Sequence, residues 1–198
     1  MRAATALAAV LVAGSATLWQ ATDGLRAFTT EAARRLAVEA APRRLPAATL
    51  EDQDGRSLRI ADYAGGIVLV DFIYTRCPTV CTQMTDTLRE VAAALPSRLG
   101  DGIHLLSISF DPDNDTTHAL RDYAALQGAD PTWRFARVVD RGDMPDLLEA
   151  FGVVVLPDGF GGYVHNAAIH VLDAEGRLAA IHDFTDVEGL VARLERTS

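Results

Sequence analysis

Both cysteines of this 198-residue chain fall in the stretch DFIYTRCPTVCTQM, Asp71 to Met84, where Cys77 and Cys81 are spaced Cys-x-x-x-Cys. The loop between them is too short for a disulfide to staple a fold, so a chemical use is the stronger reading. Thiolates act as nucleophiles, as redox partners and as soft metal ligands that favour Cu(I). Three chemistries are therefore open: a copper site with two sulfur legs, a thiol–disulfide pair, or two inert buried side chains. The usual redox motif separates its cysteines by two residues rather than three, which tilts the choice away from a simple oxidoreductase. Structural zinc asks for four protein ligands, two more than this pair supplies.

The elements that must position these thiols can be read from the hydrophobic period. IVLVDFIY, Ile67–Tyr74, is a near-continuous apolar run rich in β-branched residues, which suits a strand buried on both faces. Val80, Met84, Leu88, Val91 and Leu95 then recur at helical spacing, so a helix follows directly, with Pro78 in its first turn. IHLLSISF, Ile103–Phe110, reads as a second buried strand. DTTHALRDYAALQG reads as a second helix, with Asp115 as N-cap and Gly128 as stop.

Beyond WRFARVV, the run MPDLLEAFG predicts a third short helix. AAIHVLD, the turn AEG and RLAAIHDF predict a hairpin, and the chain ends in a helix from Asp186 to Arg196. Ahead of all this, ATLEDQDGRSLRI carries an Asp54-Gly55 turn signal between two short polar strands. The order is that of an α/β thioredoxin-like fold with an N-terminal β-hairpin extension. It puts both thiols where a strand gives way to a helix, outside the carboxyl end of a sheet strand. A helix N-terminus lowers a thiol pKa, which predicts that Cys77 is partly thiolate, with Cys81 on the same helical face.

A third copper ligand is sought among five histidines. His104 falls inside a core strand, His118 early in a solvated helix, and His170 and His182 in the last hairpin, where packing accounts for them. His165 differs. GFGGYVHNAAIH places it in a Gly-rich loop just ahead of the strand that begins near Ala167. In thioredoxin-like proteins the residues before that strand face the cysteine motif, and a cis-proline usually stands there. No proline follows Pro157, and His165 takes the approximate place.

All basic residues are Arg, with no Lys, so a Walker lysine and a lysine Schiff base are excluded. Residues 1–44 carry a net charge of +3 and the remainder −12, giving −9 overall. An acidic domain of that kind is a poor candidate for binding nucleic acid. Residues 1–22 include an uncharged Ala-rich stretch from Ala3 to Thr22, expected to be a membrane anchor with Trp19 at the interface, in preference to a cleaved signal peptide. Residues 23–44 read as a linker with a short amphipathic helix, and residues 45–198 as the globular domain. Export would expose the thiols to oxidants.

DFIYTRCPTVCTQM, SISFDPDNDT and VHNAAIHVLD together resemble the SCO/SenC family of copper-binding thioredoxin-like proteins, from about Leu45 to Arg196. The resemblance implies a metallochaperone for the CuA centre of cytochrome c oxidase, with copper, as Cu(I) or Cu(II), held by Cys77, Cys81 and His165. It also implies subunit II of the oxidase, or another copper-receiving protein, as partner. The implied location is the bacterial inner membrane, with the domain facing the periplasm. The alternative is a thiol–disulfide oxidoreductase that reduces the cysteines of the oxidase copper site, with Cys77 attacking and Cys81 resolving. A peroxiredoxin-like or redox-signalling protein is a second rival. Only the copper reading needs the histidine.

One departure stands out. Where the family usually reads Asp-His-Ser, this chain has Val164-His165-Asn166, so an acidic partner beside the histidine is missing. Asp111 could replace it or could simply shape the Asp-Pro turn. Met84 is a packing residue rather than a fourth ligand.

Overall fold

Two compact units divide at Ala41/Pro42 in the computed structural model, which describes residues 2–197. The first holds α1 (Arg2–Ala21) and α2 (Thr30–Ala40). The Thr29 hydroxyl caps α2 by accepting the Ala32 N–H at 3.0 Å. The segment expected to be an anchor is thus a helix, yet no helix among the described residues is long and apolar enough to cross a membrane. The segment expected to be a linker contains α2.

The second unit carries the sheet. β1 (Leu50–Asp52) and β2 (Ser57–Leu58) form the expected hairpin. Its turn closes because Asp52 Oδ1 accepts the N–H groups of Asp54 and Arg56 at 2.9 and 2.8 Å, and Gly55 takes a φ of 77°. A 3-10 turn at Ile60–Tyr63 leads to β3 (Ile67–Ile73), buried at every position as its apolar run predicts. α3 (Val80–Ala94), β4 (Ile103–Ser109), α4 (Thr117–Leu126), β5 (Arg134–Val138) and α5 (Asp143–Phe151) follow. The chain then forms β6 (Val155–Pro157), β7 (Tyr163–His165), β8 (Ile169–Leu172), β9 (Leu178–His182) and α6 (Val187–Arg196).

The main sheet runs β2-β1-β5-β4-β3-β8-β9. β3, β4 and β5 are parallel, and β8 and β9 continue the sheet antiparallel on the other side of β3. β3 is therefore an interior strand. Every position on both of its faces is buried as well, which is why its sequence is apolar at all positions but Asp71 and does not alternate. α3 packs against β3 and α6, and α4 against β5 and β1. Phe72 meets Phe151 edge-on at 5.0 Å, and both rings meet His170, so that histidine is a core residue as expected. Met84 is likewise fully buried.

Three expectations are corrected. Pro78 lies outside α3, because Thr79 is the N-cap. Asp115 is not the N-cap of α4; Thr116 is, accepting the Ala119 N–H at 3.2 Å. The Gly-rich segment around residue 160 is not a plain loop but an antiparallel ribbon, β6 paired with β7. No cis peptide bond is present among the described residues, so His165 does not need one to reach its position.

Asp71 breaks the apolar run of β3. It is 0% exposed and neither carboxyl oxygen has a hydrogen-bond partner. Burial raises its pKa to about 7. A carboxyl raised in the folded state favours folding below its unfolded pKa, and that advantage is lost as pH rises toward about 7. Asp71→Asn should therefore stabilise the domain above pH 7, by on the order of 3 kcal/mol, and change little near pH 4. Urea denaturation at the two pH values measures this; an equal effect at both would show that the charge is not the cause.

Candidate metal and thiol site

The site begins with the turn between β3 and α3. Cys77 stands in this turn, one residue before Pro78, and Cys81 is the second residue of α3. The two therefore do not share a helical face, as the spacing alone suggested. Thr79 makes no side-chain capping bond. The Cys81 N–H instead donates to Cys77 Sγ at 3.4 Å, so a sulfur does the work that a hydroxyl or carboxylate does at most helix starts. Both cysteines are free thiols, Cys77 8% exposed and Cys81 fully buried.

Hydrogen bonds and charge split the two thiols apart. Hydrogen bonding from the Cys81 thiol acts first on the Cys77 sulfur, and the amides of Thr79 and Cys81 at the start of α3 add to it. Together they bring the Cys77 pKa down to about 5 against the opposing effect of burial. Cys81 moves the other way, raised first by its role as donor to Cys77 and then by burial. At neutral pH the pair is a thiolate at Cys77 and a thiol at Cys81.

The third residue arrives from the ribbon. His165 ends β7, opposite Val155 of β6, and its Nε2 lies 3.8 Å from Cys81 Sγ. Nitrogen and sulfur donors bond a common ion at about 2.0–2.3 Å, which sets them roughly 3.6–3.8 Å apart. The donor pair thus has the separation a shared ion requires. Among the described residues no three His, Cys, Asp or Glu side chains are already gathered as a metal-holding group. Burial lowers the His165 pKa, keeping the ring neutral and its lone pair available to a ligand. Its Nδ1 is buried without a hydrogen-bond partner.

Residues beyond the sequence-based candidates hold the ribbon. Tyr74, at the end of β3, donates its hydroxyl to Tyr163 O at 3.4 Å and accepts the Tyr163 N–H at 3.3 Å. Phe110, just past β4, packs against Tyr74, Tyr163 and the His165 ring at 5.4, 5.5 and 5.1 Å. Gly162 packs close beside them: a Cβ there would stand 3.1 Å from Tyr74 Oη and 2.7 Å from Asp158 Oδ2, so both side chains would have to shift. Asn166 ties the ribbon to the end of α5, accepting the Val154 N–H at 2.6 Å and donating to Gly152 O at 3.0 Å. The signal for the aromatics was their location at the carboxyl ends of adjacent parallel strands.

Asp111 does not serve His165. It accepts from Arg76 at 2.9 Å and from the Asn114 amide at 2.9 Å. The remaining histidines lie away from the cysteines, as expected. His104 is half-buried against Tyr63. His118 is exposed beside Asp122, and His182 lies 2.8 Å from Asp186 O.

An α/β domain with a cysteine pair at the β3–α3 junction, faced by a histidine from a neighbouring ribbon, defines a thioredoxin-like protein with an added histidine beside its thiols. The chain belongs to the SCO1/SenC family, whose sequence pattern matches residues 42–197. It is 27% identical over 143 residues to the SCO1 protein homolog of Bacillus subtilis, an alignment covering 71% of this chain and 72% of that one. Bradyrhizobium japonicum ScoI, solved with copper bound, superposes with a TM-score of 0.66 at 26% identity, over 77% of this chain and 98% of that one. BsSco, described with a disulfide switch and as a member of the Sco family of cytochrome c oxidase assembly proteins, shares the fold. Its TM-score is 0.69 at 20% identity, over 79% of this chain and 94% of that one.

Alkylation of Cys77 by iodoacetamide should rise with pH and reach half its maximum near pH 5. Cys81→Ala removes the donor to its sulfur and should move that midpoint upward by about one unit or more. Mass spectrometry of peptides quenched across a pH series reads both midpoints. Coincident curves for the two proteins would show that Cys81 does not set the reactivity of Cys77.

Proposed function

We propose that this chain is a metallochaperone for assembly of the CuA centre of cytochrome c oxidase, carrying one copper ion on Cys77, Cys81 and His165. The observation that carries the reading is His165 Nε2 at 3.8 Å from Cys81 Sγ, since thiol–disulfide exchange has no need of an imidazole there. The copper-bound relative ScoI supports it. A thiolate at Cys77 needs no proton loss to take Cu(I), and soft sulfur with one neutral imidazole suits that ion. Handover to subunit II of the oxidase, or to another copper-receiving protein, proceeds by exchange of one ligand at a time. Cys77, the more exposed thiol, is the one a partner reaches first.

The low pKa of Cys77 favours a second reading, a thiol–disulfide reductase for the partner's copper-site cysteines. Cys77 attacks the partner's disulfide to give a mixed disulfide and release one partner thiolate. Cys81, losing its proton, then displaces the second, so two electrons pass to the partner and Cys77–Cys81 is left oxidised.

His165→Ala separates the two. Under the copper reading it weakens copper affinity by about tenfold or more and leaves disulfide exchange near the wild-type rate. Chelator competition and a glutathione-coupled assay measure the pair of effects. Full copper affinity with lost reductase activity would overturn the chaperone assignment in favour of the redox one.

We also propose that residues 1–22 keep the protein at the bacterial inner membrane, with the domain facing the periplasm. The motive is the uncharged stretch from Ala3 to Thr22. Fractionation should find the intact chain in the membrane pellet, and intact mass should include the N-terminal segment. A mature soluble chain beginning near Thr17 would refute the anchor.

A further inference from the structure

Asp115 has the surroundings of a functional side chain and none of the expected role. It is 0% exposed, and it does not cap α4. Its Oδ2 accepts the Thr75 N–H at 3.0 Å and the Ser109 hydroxyl at 2.5 Å, and its Oδ1 accepts the Thr75 hydroxyl at 2.6 Å. Thr75 lies two residues before Cys77 in the turn that carries the reactive sulfur. Ser109 is the last residue of β4, the strand paired in parallel with β3. One buried carboxylate therefore clamps the cysteine turn to the neighbouring strand. Asp111 accepts Arg76 from the same loop, so two successive residues of the turn are held from the β4–α4 connection.

We infer that Asp115 is a positioning residue for Cys77, holding the turn so that the sulfur stays on the first amides of α3. This rests on the reading of Cys77 and Cys81 as the working thiols. Burying a carboxylate is unfavourable unless its oxygens are fully bonded. Here the bonds go to the turn and the strand end, and none to the α4 helix that Asp115 precedes. The Cys77 sulfur accepts the Cys81 N–H at 3.4 Å, a contact that weakens as its distance and angle depart from the ideal. Freeing Thr75 releases the turn, and the sulfur leaves the amides. The reduced pair then loses stabilisation that the disulfide never had, and the balance moves toward oxidation.

The test uses the full chain and three variants, Asp115→Asn, Thr75→Val and Thr75→Ser. The equilibrium constant with a glutathione redox buffer is read by thiol trapping, beside the melting temperature and the copper affinity. Asp115→Asn and Thr75→Val should each shift the equilibrium toward the Cys77–Cys81 disulfide by about tenfold, equivalent to about 30 mV. Thr75→Ser keeps the hydroxyl and should stay at the wild-type value. Should Asp115→Asn fail to fold, Thr75→Val against Thr75→Ser decides by the same reading. A lowered melting temperature with an unmoved glutathione equilibrium would overturn the inference and leave Asp115 a purely structural acid. Failure of the wild type to take up copper would sink the metallochaperone reading alone, because the glutathione equilibrium does not involve the metal.

Discussion

The contact between the Cys81 amide and the Cys77 sulfur, at 3.4 Å, is the point on which the site turns. A helix start leaves several N–H groups without partners, and they favour negative charge. In most helices a Ser, Thr, Asp or Asn side chain meets them. Here Thr79 stands at the N-cap without making the bond, and the sulfur of the residue two positions earlier takes over. Helix capping and thiol activation are thereby one interaction. Any group that takes Cys77, an ion or a second sulfur, must compete with the amides or rearrange them.

That coupling explains why two thiols of the same type behave as opposites. The donor thiol of Cys81 lowers Cys77 and is itself raised by the same hydrogen bond. Each proton state of one fixes the favoured state of the other, as in any strongly interacting pair. Burial sharpens the effect, because Cys81 is fully buried and electrostatic contacts are stronger at low dielectric. A soft cation replacing the shared proton would satisfy both sulfurs together, with His165 at hand on the other side.

The supports of the site come from three separate directions. Asp115 and Asp111 hold the cysteine turn from the β4–α4 connection. Tyr74 and Phe110, at the ends of adjacent strands, hold the ribbon that carries His165. Asn166 fastens that ribbon to the end of α5. The outer face of the ribbon stays apolar and open, with Val154, Leu156, Phe160 and Val164 exposed beside the histidine. Rigid scaffolding behind the two thiols and His165, and an uncovered edge beside them, leave the site both ordered and open to a second molecule.

Local pattern was enough to read most of this fold. The β3 run, the helical spacing from Val80 to Leu95, the β1–β2 turn and the last hairpin are signals carried within a few residues, and each element formed where its pattern lies. The two thiols and His165 were legible as chemistry because residue type and neighbourhood single them out. The β6–β7 ribbon was hidden, since its glycines read as loop and its short strands pair only with each other. The separation of Cys77 from the helix of Cys81 was equally invisible, because a spacing of four residues does not say where the N-cap falls. Asp115 shows the limit most clearly. As sequence it is a good N-cap, and in the folded chain its carboxylate faces Thr75, 40 positions away. Periodicity and capping are set by near neighbours along the chain, whereas the partners of a buried polar group are chosen by which strands and turns the finished sheet brings together.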